Sequence, residues 1–156
     1  MIKKIALFPG SFDPFTIGHE SIVRRALPLF DKIIIAIGFN TNKLGFFPLD
    51  DRLQWIRKVF MDEEKIEVDS YESLTIDFCK TKGANYILRG IRTSSDFEYE
   101  RAIAQMNRAM NPEVESVFLL TLPEYTHVAS AIVRDIILHG GDASIFLPEK
   151  IKIARK

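Results

Sequence analysis

Short apolar runs rich in β-branched residues alternate along the chain with longer stretches in which apolar residues recur every three or four positions. The runs cover residues 5–8, 33–37, 66–68, 86–88 and 117–122. Short, continuously apolar runs are typical of strands buried on both faces of a parallel sheet. We therefore predict an α/β fold in which five parallel strands are covered by helices on both faces.

Five helices are predicted from the apolar positions between and after the strands. Their apolar stripes are Ile22, Val23, Ala26 and Leu27; Leu53, Ile56, Val59 and Phe60; Leu74, Phe78 and Cys79; Ala102, Ile103, Met106, Ala109 and Met110; and Ile132, Val133, Ile136 and Ile137. The fifth helix should end at Gly140-Gly141, because glycine adopts a left-handed cap at little cost. A sixth, short helix is expected in the tail, residues 148–156, with Pro148 in its first turn.

Composition narrows the class of protein. The 156 residues contain no repeat or linker, so we predict one domain over 1–156. Lys and Arg total 21 and Asp and Glu total 21, a balance that argues against nucleic-acid or membrane partners. The apolar start ends at Pro9, too short for a secretion signal, and we expect a cytoplasmic protein. The single cysteine, Cys79, excludes an intrachain disulfide, and three histidines make a dedicated zinc site hard to build.

The unusual residues collect in loops that follow the predicted strands. These loops cover residues 9–19, 38–43, 89–100 and 124–130. In doubly wound sheets, ligands bind beyond the carboxyl ends of the strands. We therefore place the functional site at that edge.

The loop after the first strand has the composition of an anion site. Gly10, Gly18 and two prolines surround Ser11 ahead of a helix that opens near His19. Backbone N–H groups and a positive helix end would come close to a phosphate there. The spacing matches neither a Walker A loop nor G-x-G-x-x-G. A merely structural strand-to-helix turn is the alternative.

His19 lies in the first turn of that helix. The helix dipole lowers its pKa, whereas a bound polyphosphate would favour the charged imidazolium. The charge of His19 should therefore follow the ligand. A half-buried histidine that caps a turn is the alternative reading.

Basic and hydroxyl residues follow the other strands. Arg89 and Arg92 can fork onto phosphate oxygens, or form ion pairs with the carboxylates of 96–100, and both can hold at once. Lys43 is either a solvated loop lysine or a catalytic one. Ser130 is either a helix cap or a phosphate donor.

Three segments, in this order and spacing, resemble bacterial phosphopantetheine adenylyltransferases of the H-x-G-H nucleotidyltransferase superfamily. They are Gly10-Ser11-Phe12-Asp13-Pro14 with Thr16-x-Gly18-His19, Leu88-Arg89-Gly90-Ile91-Arg92, and Asp96-Phe97-Glu98-Tyr99-Glu100. The likeness runs over nearly the whole chain and implies a single, Rossmann-like nucleotidyltransferase domain. It also implies transfer of AMP from ATP to 4′-phosphopantetheine with Mg²⁺, giving dephospho-coenzyme A and pyrophosphate in coenzyme A biosynthesis. A homohexamer and coenzyme A as a feedback ligand are further implications.

The resemblance assigns residues to both substrates. The phosphopantetheine contacts it implies are Ser11, Lys43, Thr75 and Arg89. The ATP contacts it implies are Ser11, Phe12, His19, Gly90, Ile91, Arg92, Glu100, Tyr125, Thr126, His127, Val128, Ala129, Ser130 and Ala131. The catalytic residues it implies are His19, Lys43 and Arg92, and no residue is assigned to a metal.

One segment departs from the family pattern. The family has a run of serines before its last functional helix, but Ala129 and Ala131 flank Ser130 here. The backbone N–H groups of the helix start remain available, so we expect modestly weaker ATP binding. A non-catalytic nucleotide or coenzyme A sensor is one alternative function, supported by the missing serines. A nucleotidyltransferase with another acceptor, such as nicotinamide mononucleotide or a phosphorylated alcohol, is the other.

The apolar stripe from 102 to 110 allows two interpretations. It contributes either to the core of the monomer or to a subunit interface.

Overall fold

A computed structural model describes residues 1–154. Its sheet contains five strands: β1 (Ile5–Gly10), β2 (Lys32–Gly38), β3 (Ile66–Tyr71), β4 (Tyr86–Ile91) and β5 (Glu115–Leu120). All are parallel and their order is β3-β2-β1-β4-β5. The predicted five-stranded parallel sheet is therefore confirmed, although β5 ends two residues before the apolar run does.

Five α-helices connect and follow the strands. They are α1 (Ile17–Ala26), α2 (Leu49–Val59), α3 (Thr75–Lys82), α4 (Ser94–Met110) and α5 (Ser130–Leu138). Single 3₁₀ turns cover Leu27–Leu29, Pro123–Tyr125 and Ser144–Phe146. Left-handed glycines follow two helices, Gly83 after α3 and Gly140 after α5, as glycine's lack of a Cβ allows.

The helices cover both faces of the sheet. On one face, side chains of α1, α2 and α5 form a buried cluster with alternate strand residues such as Phe8, Ile33 and Ile35. On the other face, α3 packs on the intervening residues, among them Leu7 and Ile34. This alternation is the pattern expected for strands buried on both sides. The Rossmann-like, doubly wound prediction is confirmed.

At the periphery, the structure excludes one of the two interpretations of the α4 stripe and contradicts the expected tail helix. The stripe on α4 is not part of the monomer core, since Met106 is 65% exposed and Met110 53%. The tail forms a 3₁₀ turn at Ser144–Phe146 and no helix over 147–154. Residues 155 and 156 of the predicted tail helix lie outside the described residues.

The strand order places a crevice at the centre of the sheet. β1 lies between β2 and β4, so the chain leaves β1 towards one side and returns to the other side for β4. The loops after β1 and β4 therefore diverge above their carboxyl ends, which is where such sheets bind ligands. None of the helices within residues 1–154 is both long and apolar enough to cross a membrane.

Candidate active site

A cavity of about 370 Å³, hereafter the central cavity, opens in this crevice. It lies between the loop after β1, the first turn of α1, the end of β4 and the start of α5. The predicted site residues that line it are Ser11, Phe12, His19, Arg89, Gly90, Arg92, Glu100, Tyr125, Val128, Ala129, Ser130 and Ala131. Residues distant in sequence thus meet at one site.

His19 is held by the start of its own helix. The N–H of Thr16 donates to His19 Nδ1 over 2.9 Å, and the N–H of His19 donates to Thr16 Oγ1 over 3.4 Å. Both residues thereby satisfy N–H groups that a helix start otherwise leaves unpaired. Because Nδ1 accepts a backbone hydrogen bond, the neutral ring carries its proton on Nε2. Nε2 has no partner in the described part of the chain and is the ring atom available to a ligand.

The surroundings of His19 keep the ring neutral. The rings of Phe12 and Phe15 lie 5.0 and 5.3 Å from the imidazole, centroid to centroid. Burial, together with the smaller effects of the positive charges of Arg89 and Arg92, lowers the pKa of His19 from 6.5 to about 3. The predicted lowering occurs, with burial as its main cause. At neutral pH the ring therefore presents an uncharged Nε2–H donor to the central cavity.

The backbone at Phe12 shapes the loop after β1. Phe12 has φ of +44°, a left-handed conformation that is uncommon for an aromatic residue. Its ring is buried and packs 5.2 Å from both Phe8 and Phe15. A Cβ at Gly10 would lie 2.8 Å from this ring, so only glycine fits there. The buried ring fixes the turn and sets Ser11 at the mouth of the cavity.

A buried ion pair that was not identified from the sequence ties this loop to the segment before α2. Asp13 accepts hydrogen bonds from the N–H groups of Phe46 and Phe47, over 2.7 and 2.9 Å. Arg52 on α2, only 6% exposed, donates to the carbonyl of Ser11 over 2.7 Å and to that of Phe47 over 3.1 Å. Its Nε lies 3.9 Å from Asp13 Oδ1. We call Asp13 and Arg52 the loop clasp.

Arg89 forms the wall of the cavity at the end of β4. Its Nε and Nη2 donate to the two carboxylate oxygens of Glu100 over 2.9 and 2.7 Å, and its Nη1 donates to the carbonyl of Pro9. Three of the five N–H groups of a guanidinium are then used, and two remain for a ligand. The ion pair therefore orients Arg89 without exhausting its donors.

Arg92 lies at the rim of the same cavity. Its backbone N–H and its Nε both donate to Asp96 Oδ2, over 3.1 and 3.3 Å. Its Nη1 donates to the carbonyl of Val128 over 3.4 Å. Arg92 thus spans the opening between the starts of α4 and α5.

The start of α5 offers backbone donors and no side-chain cap. Its N-cap is Ala129, and no carbonyl of the described residues accepts from the N–H groups of Ser130 or Ala131. The hydroxyl of Ser130 donates to the carbonyl of Pro14 over 2.9 Å. Ser130 is therefore the first residue of the helix and not its cap, and its hydroxyl proton is used within the protein. Two backbone N–H groups at a positive helix end remain free.

Two further cavities adjoin the central one. The first, of about 400 Å³ between α3 and α4, shares Pro9, Gly10, Arg89 and Glu100 with it. The second, of about 620 Å³ beside the loop after β2, shares Ser11 with it. We call these the α3–α4 cavity and the Lys43 cavity.

Five predicted residues do not line the central cavity. Lys43 lines the Lys43 cavity, and Thr75 lines both of the outer ones. Ile91 is buried. The Thr126 hydroxyl donates to the carbonyl of Leu122 over 3.4 Å, and the His127 ring faces Phe146 at 6.3 Å. The segment around 126 and 127 forms the outer side of the turn before α5.

The described part of the site contains few side chains that could bind a metal ion. Within residues 1–154, no group of three or more His, Cys, Asp or Glu side chains is placed to hold an ion. The carboxylates of the central cavity, Asp96 and Glu100, are each paired with an arginine. This arrangement fits a Mg²⁺ ion carried by phosphate oxygens and water, which is how Mg²⁺ is commonly bound with nucleotides.

Comparison with known proteins defines the class. Residues 7–136 match the model of the cytidylyltransferase-like family, and the chain belongs to that family. Its fold is similar to a solved bifunctional NMN adenylyltransferase/ADP ribose pyrophosphatase from Francisella tularensis, with a TM-score of 0.72 and 19% identity over 96% of this chain. This chain spans 46% of that one, and a likeness at such low identity concerns the fold alone.

Relatives of higher sequence identity show to which group of the cytidylyltransferase-like family the chain belongs. The phosphopantetheine adenylyltransferase of Flavobacterium psychrophilum is 51% identical over 148 residues, 95% of this chain and 97% of the relative. That of Phocaeicola vulgatus is 50% identical over the same shares of both chains. The chain is thus a member of the phosphopantetheine adenylyltransferase family, as the three sequence segments indicate.

Proposed function

We propose that this protein transfers AMP from ATP to the phosphate of 4′-phosphopantetheine, releasing pyrophosphate and forming dephospho-coenzyme A. The observation that carries the proposal is the position of Arg89. This residue, with Pro9, Gly10 and Glu100, forms a wall shared by the central cavity and the α3–α4 cavity. A phosphate bound on each side of this wall would bring donor and acceptor together.

The central cavity suits the triphosphate of ATP. It combines the Nε2–H of His19, the guanidinium groups of Arg89 and Arg92, and the free N–H groups at the start of α5. A Cβ at Gly18 would make only ordinary contacts, the nearest at 3.5 Å to Thr16 Oγ1. The fold therefore tolerates a side chain at Gly18, and we assign its absence to the close approach of a nucleotide.

The α3–α4 cavity suits the acceptor. Apolar side chains line it away from Arg89, among them Leu74 just before α3, and Ile103 and Met110 on α4. The phosphate of 4′-phosphopantetheine would bind at Arg89 and towards Ser11 and Lys43, and its extended arm along the apolar side.

The reaction needs no general base. A phosphate monoester has a second pKa near ~6 and is largely dianionic at neutral pH. Its oxygen attacks the α-phosphorus of ATP, and the bond to the departing pyrophosphate breaks in line. His19, Lys43 and Arg92 stabilise the charge that grows on the transferring group. No covalent enzyme intermediate is involved.

Mg²⁺ is proposed to enter with ATP. Bound to the phosphate oxygens, it would neutralise part of their charge and favour departure of pyrophosphate. The residues of the central cavity supply hydrogen bonds and positive charge around it.

The wider setting is also proposed. We infer a homohexamer from the resemblance, and the exposed Met106 on α4 offers an apolar side chain for a contact between subunits. A cytoplasmic location, coenzyme A as a feedback ligand and a single domain over 1–156 complete the proposal. They rest on the resemblance and on the composition.

Mass-spectrometric detection of products tests the reaction. Purified protein with ATP and Mg²⁺ is offered 4′-phosphopantetheine, nicotinamide mononucleotide and glycerol 3-phosphate in separate reactions. We expect dephospho-coenzyme A with an equal amount of pyrophosphate in the first reaction alone. Product only with another acceptor would overturn the substrate, and ATP binding without any product would favour the sensor.

A further inference from the structure

Tyr71 ends β3 with its hydroxyl held in a defined place. Its ring stacks on that of Phe78, with centroids 4.6 Å apart and planes inclined by 8°. Its hydroxyl lies 2.8 Å from Oγ1 of Thr75, the first residue of α3. Any other position of the ring would lose the stacking on Phe78, and any other position of the hydroxyl would lose the hydrogen bond to Thr75.

Gly38 makes room for this hydroxyl. A Cβ at Gly38 would lie 3.1 Å from the Tyr71 hydroxyl oxygen and 3.2 Å from Cζ. Both distances are tighter than ordinary van der Waals contact, so any larger residue would press on the phenol. Glycine at the end of β2 therefore lets the Tyr71 hydroxyl reach Thr75.

Tyr71 and Thr75 lie where the α3–α4 cavity and the Lys43 cavity meet. Tyr71, Thr75 and Gly38 line both the α3–α4 cavity and the Lys43 cavity. Ser11 and Lys43 line only the latter of these two, and the apolar side chains of α4 line only the former. A ligand with a phosphate at one end and an apolar arm at the other must pass the hydroxyl pair with its middle portion.

That middle portion of 4′-phosphopantetheine is polar and uncharged. It carries a secondary hydroxyl and an amide next to the phosphate-bearing end. Two hydroxyls that hydrogen-bond each other keep one free proton and unused lone pairs, so together they can donate to and accept from such groups. Burial raises the pKa of Tyr71, and the phenol stays protonated at neutral pH.

We propose that Tyr71 is a positioning residue for the acceptor. Its hydroxyl orients that of Thr75, and the oriented Thr75 hydroxyl binds the hydroxyl and amide portion beside the acceptor phosphate. The inference rests on the proposed function, because it specifies how the same site chooses its acceptor. It assigns to Tyr71 no contact with the reacting atoms.

The test is steady-state kinetics of Tyr71→Phe. Loss of one hydrogen bond to an uncharged group should raise KM for 4′-phosphopantetheine about 5–10-fold, with kcat and KM for ATP within about twofold of wild type. Tyr86→Phe is the matched control, since Tyr86 packs on Phe30 at 5.5 Å and lines none of the three cavities. It should leave all three constants unchanged.

A double variant separates positioning from simple structural support. If Tyr71 acts through Thr75, the variant carrying both Tyr71→Phe and Thr75→Val should raise the acceptor KM no more than Thr75→Val alone. The inference would be overturned if the double variant raised the acceptor KM by the product of the two single effects. It would also be overturned if Tyr71→Phe left the acceptor KM unchanged, or raised KM for ATP by the same factor. Failure of the wild-type protein to form dephospho-coenzyme A would instead overturn the proposed function itself.

Discussion

His19 has one ring nitrogen engaged in the fold and the other available to a ligand. Nδ1 accepts from the N–H of Thr16, and Nε2–H is available for the phosphate contact proposed above. The carboxamide oxygen of asparagine can take the place of Nδ1, but asparagine has nothing at the position of Nε2. The two functions of His19 can therefore be separated by one substitution.

We predict that His19→Asn folds and loses turnover. Removing a preorganised donor to developing charge costs roughly 3–4 kcal/mol, which corresponds to a fall in kcat of ~10²–10³. The measurement is the initial rate of dephospho-coenzyme A formation, with thermal melting as the control for folding. A folded variant with wild-type turnover would remove His19 from the catalytic set.

The lowered pKa of His19 also makes stability depend on pH. The side chain takes up a proton near pH 6.5 in the unfolded chain but only near about 3 in the folded protein. Between these values the unfolded state binds more protons, so this residue reduces stability as the pH falls. The loss is at most about 1.4 kcal/mol per pH unit.

His19→Asn provides the comparison, because asparagine does not titrate. Urea denaturation at pH 6.5 and at pH 4 should show the variant gaining stability relative to the wild type as the pH is lowered. A difference between the two proteins that stays constant over this range would show that His19 titrates at its ordinary pKa when folded.

At the scale of elements, the loop clasp connects three segments of the site. Arg52 on α2 and Asp13 after β1 hold residues 46 and 47 against the carbonyl of Ser11. Arg134 on α5 donates to the carbonyl of Asp13 over 2.8 Å and adds a third element. The clasp therefore couples stability to the placement of Ser11 and of the loop that carries Lys43.

Arg52→Ala should be strongly destabilising. It removes the ion-pair partner of the buried Asp13 carboxylate, and breaking a buried pair in this way typically costs about 3–5 kcal/mol. Urea denaturation measures the change. Lys150→Ala, which breaks an exposed pair with Asp62 at 3.4 Å, is the control and should change stability by less than about 1 kcal/mol. Equal effects of the two variants would contradict the structural role of the clasp.

How well the sequence predicts the structure differs from one element to another. Strands and helices were predictable because apolar periodicity reports burial directly, as on α1, where Ile22, Val23 and Ala26 are all buried. The stripe on α4 was ambiguous because periodicity does not reveal what covers a face. The clasp joins Asp13 to Arg52, and no local pattern marks an arginine that will be buried across such a separation.

The site was predictable for a different reason. Residues after β1, β4 and β5 come together because parallel strands end at one edge of the sheet. The role of Ser130 was not predictable, since its hydroxyl donates to Pro14, distant along the chain. The contact between Tyr71 and Thr75 was also not predictable, since it depends on the geometry of the short turn between β3 and α3.

At the scale of the whole molecule, α4 presents an uncovered apolar face. Exposed apolar patches of this kind mark interaction surfaces, and the proposed homohexamer would cover this one. Met106 and Met61 are similarly exposed, at 65% and 68%, but only Met106 lies on this face. The two methionines provide a matched pair of sites.

We predict that Met106→Glu dissociates the assembly. A buried, unpaired carboxylate at an interface is costly, so the variant should elute as a smaller species by size-exclusion chromatography with light scattering. Met61→Glu should keep the wild-type mass. A Met106→Glu protein with wild-type mass would place the subunit interface elsewhere.

In the proposed reaction both phosphates meet across the wall formed by Arg89, and the adenylyl group passes directly between them. The most direct measurement is the stereochemical course at the α-phosphorus, with an ATP analogue made chiral there by sulfur. A single in-line displacement predicts inversion of configuration in the dephospho-coenzyme A product. Retention of configuration would require two displacements through an enzyme-bound intermediate and would contradict direct transfer of the adenylyl group.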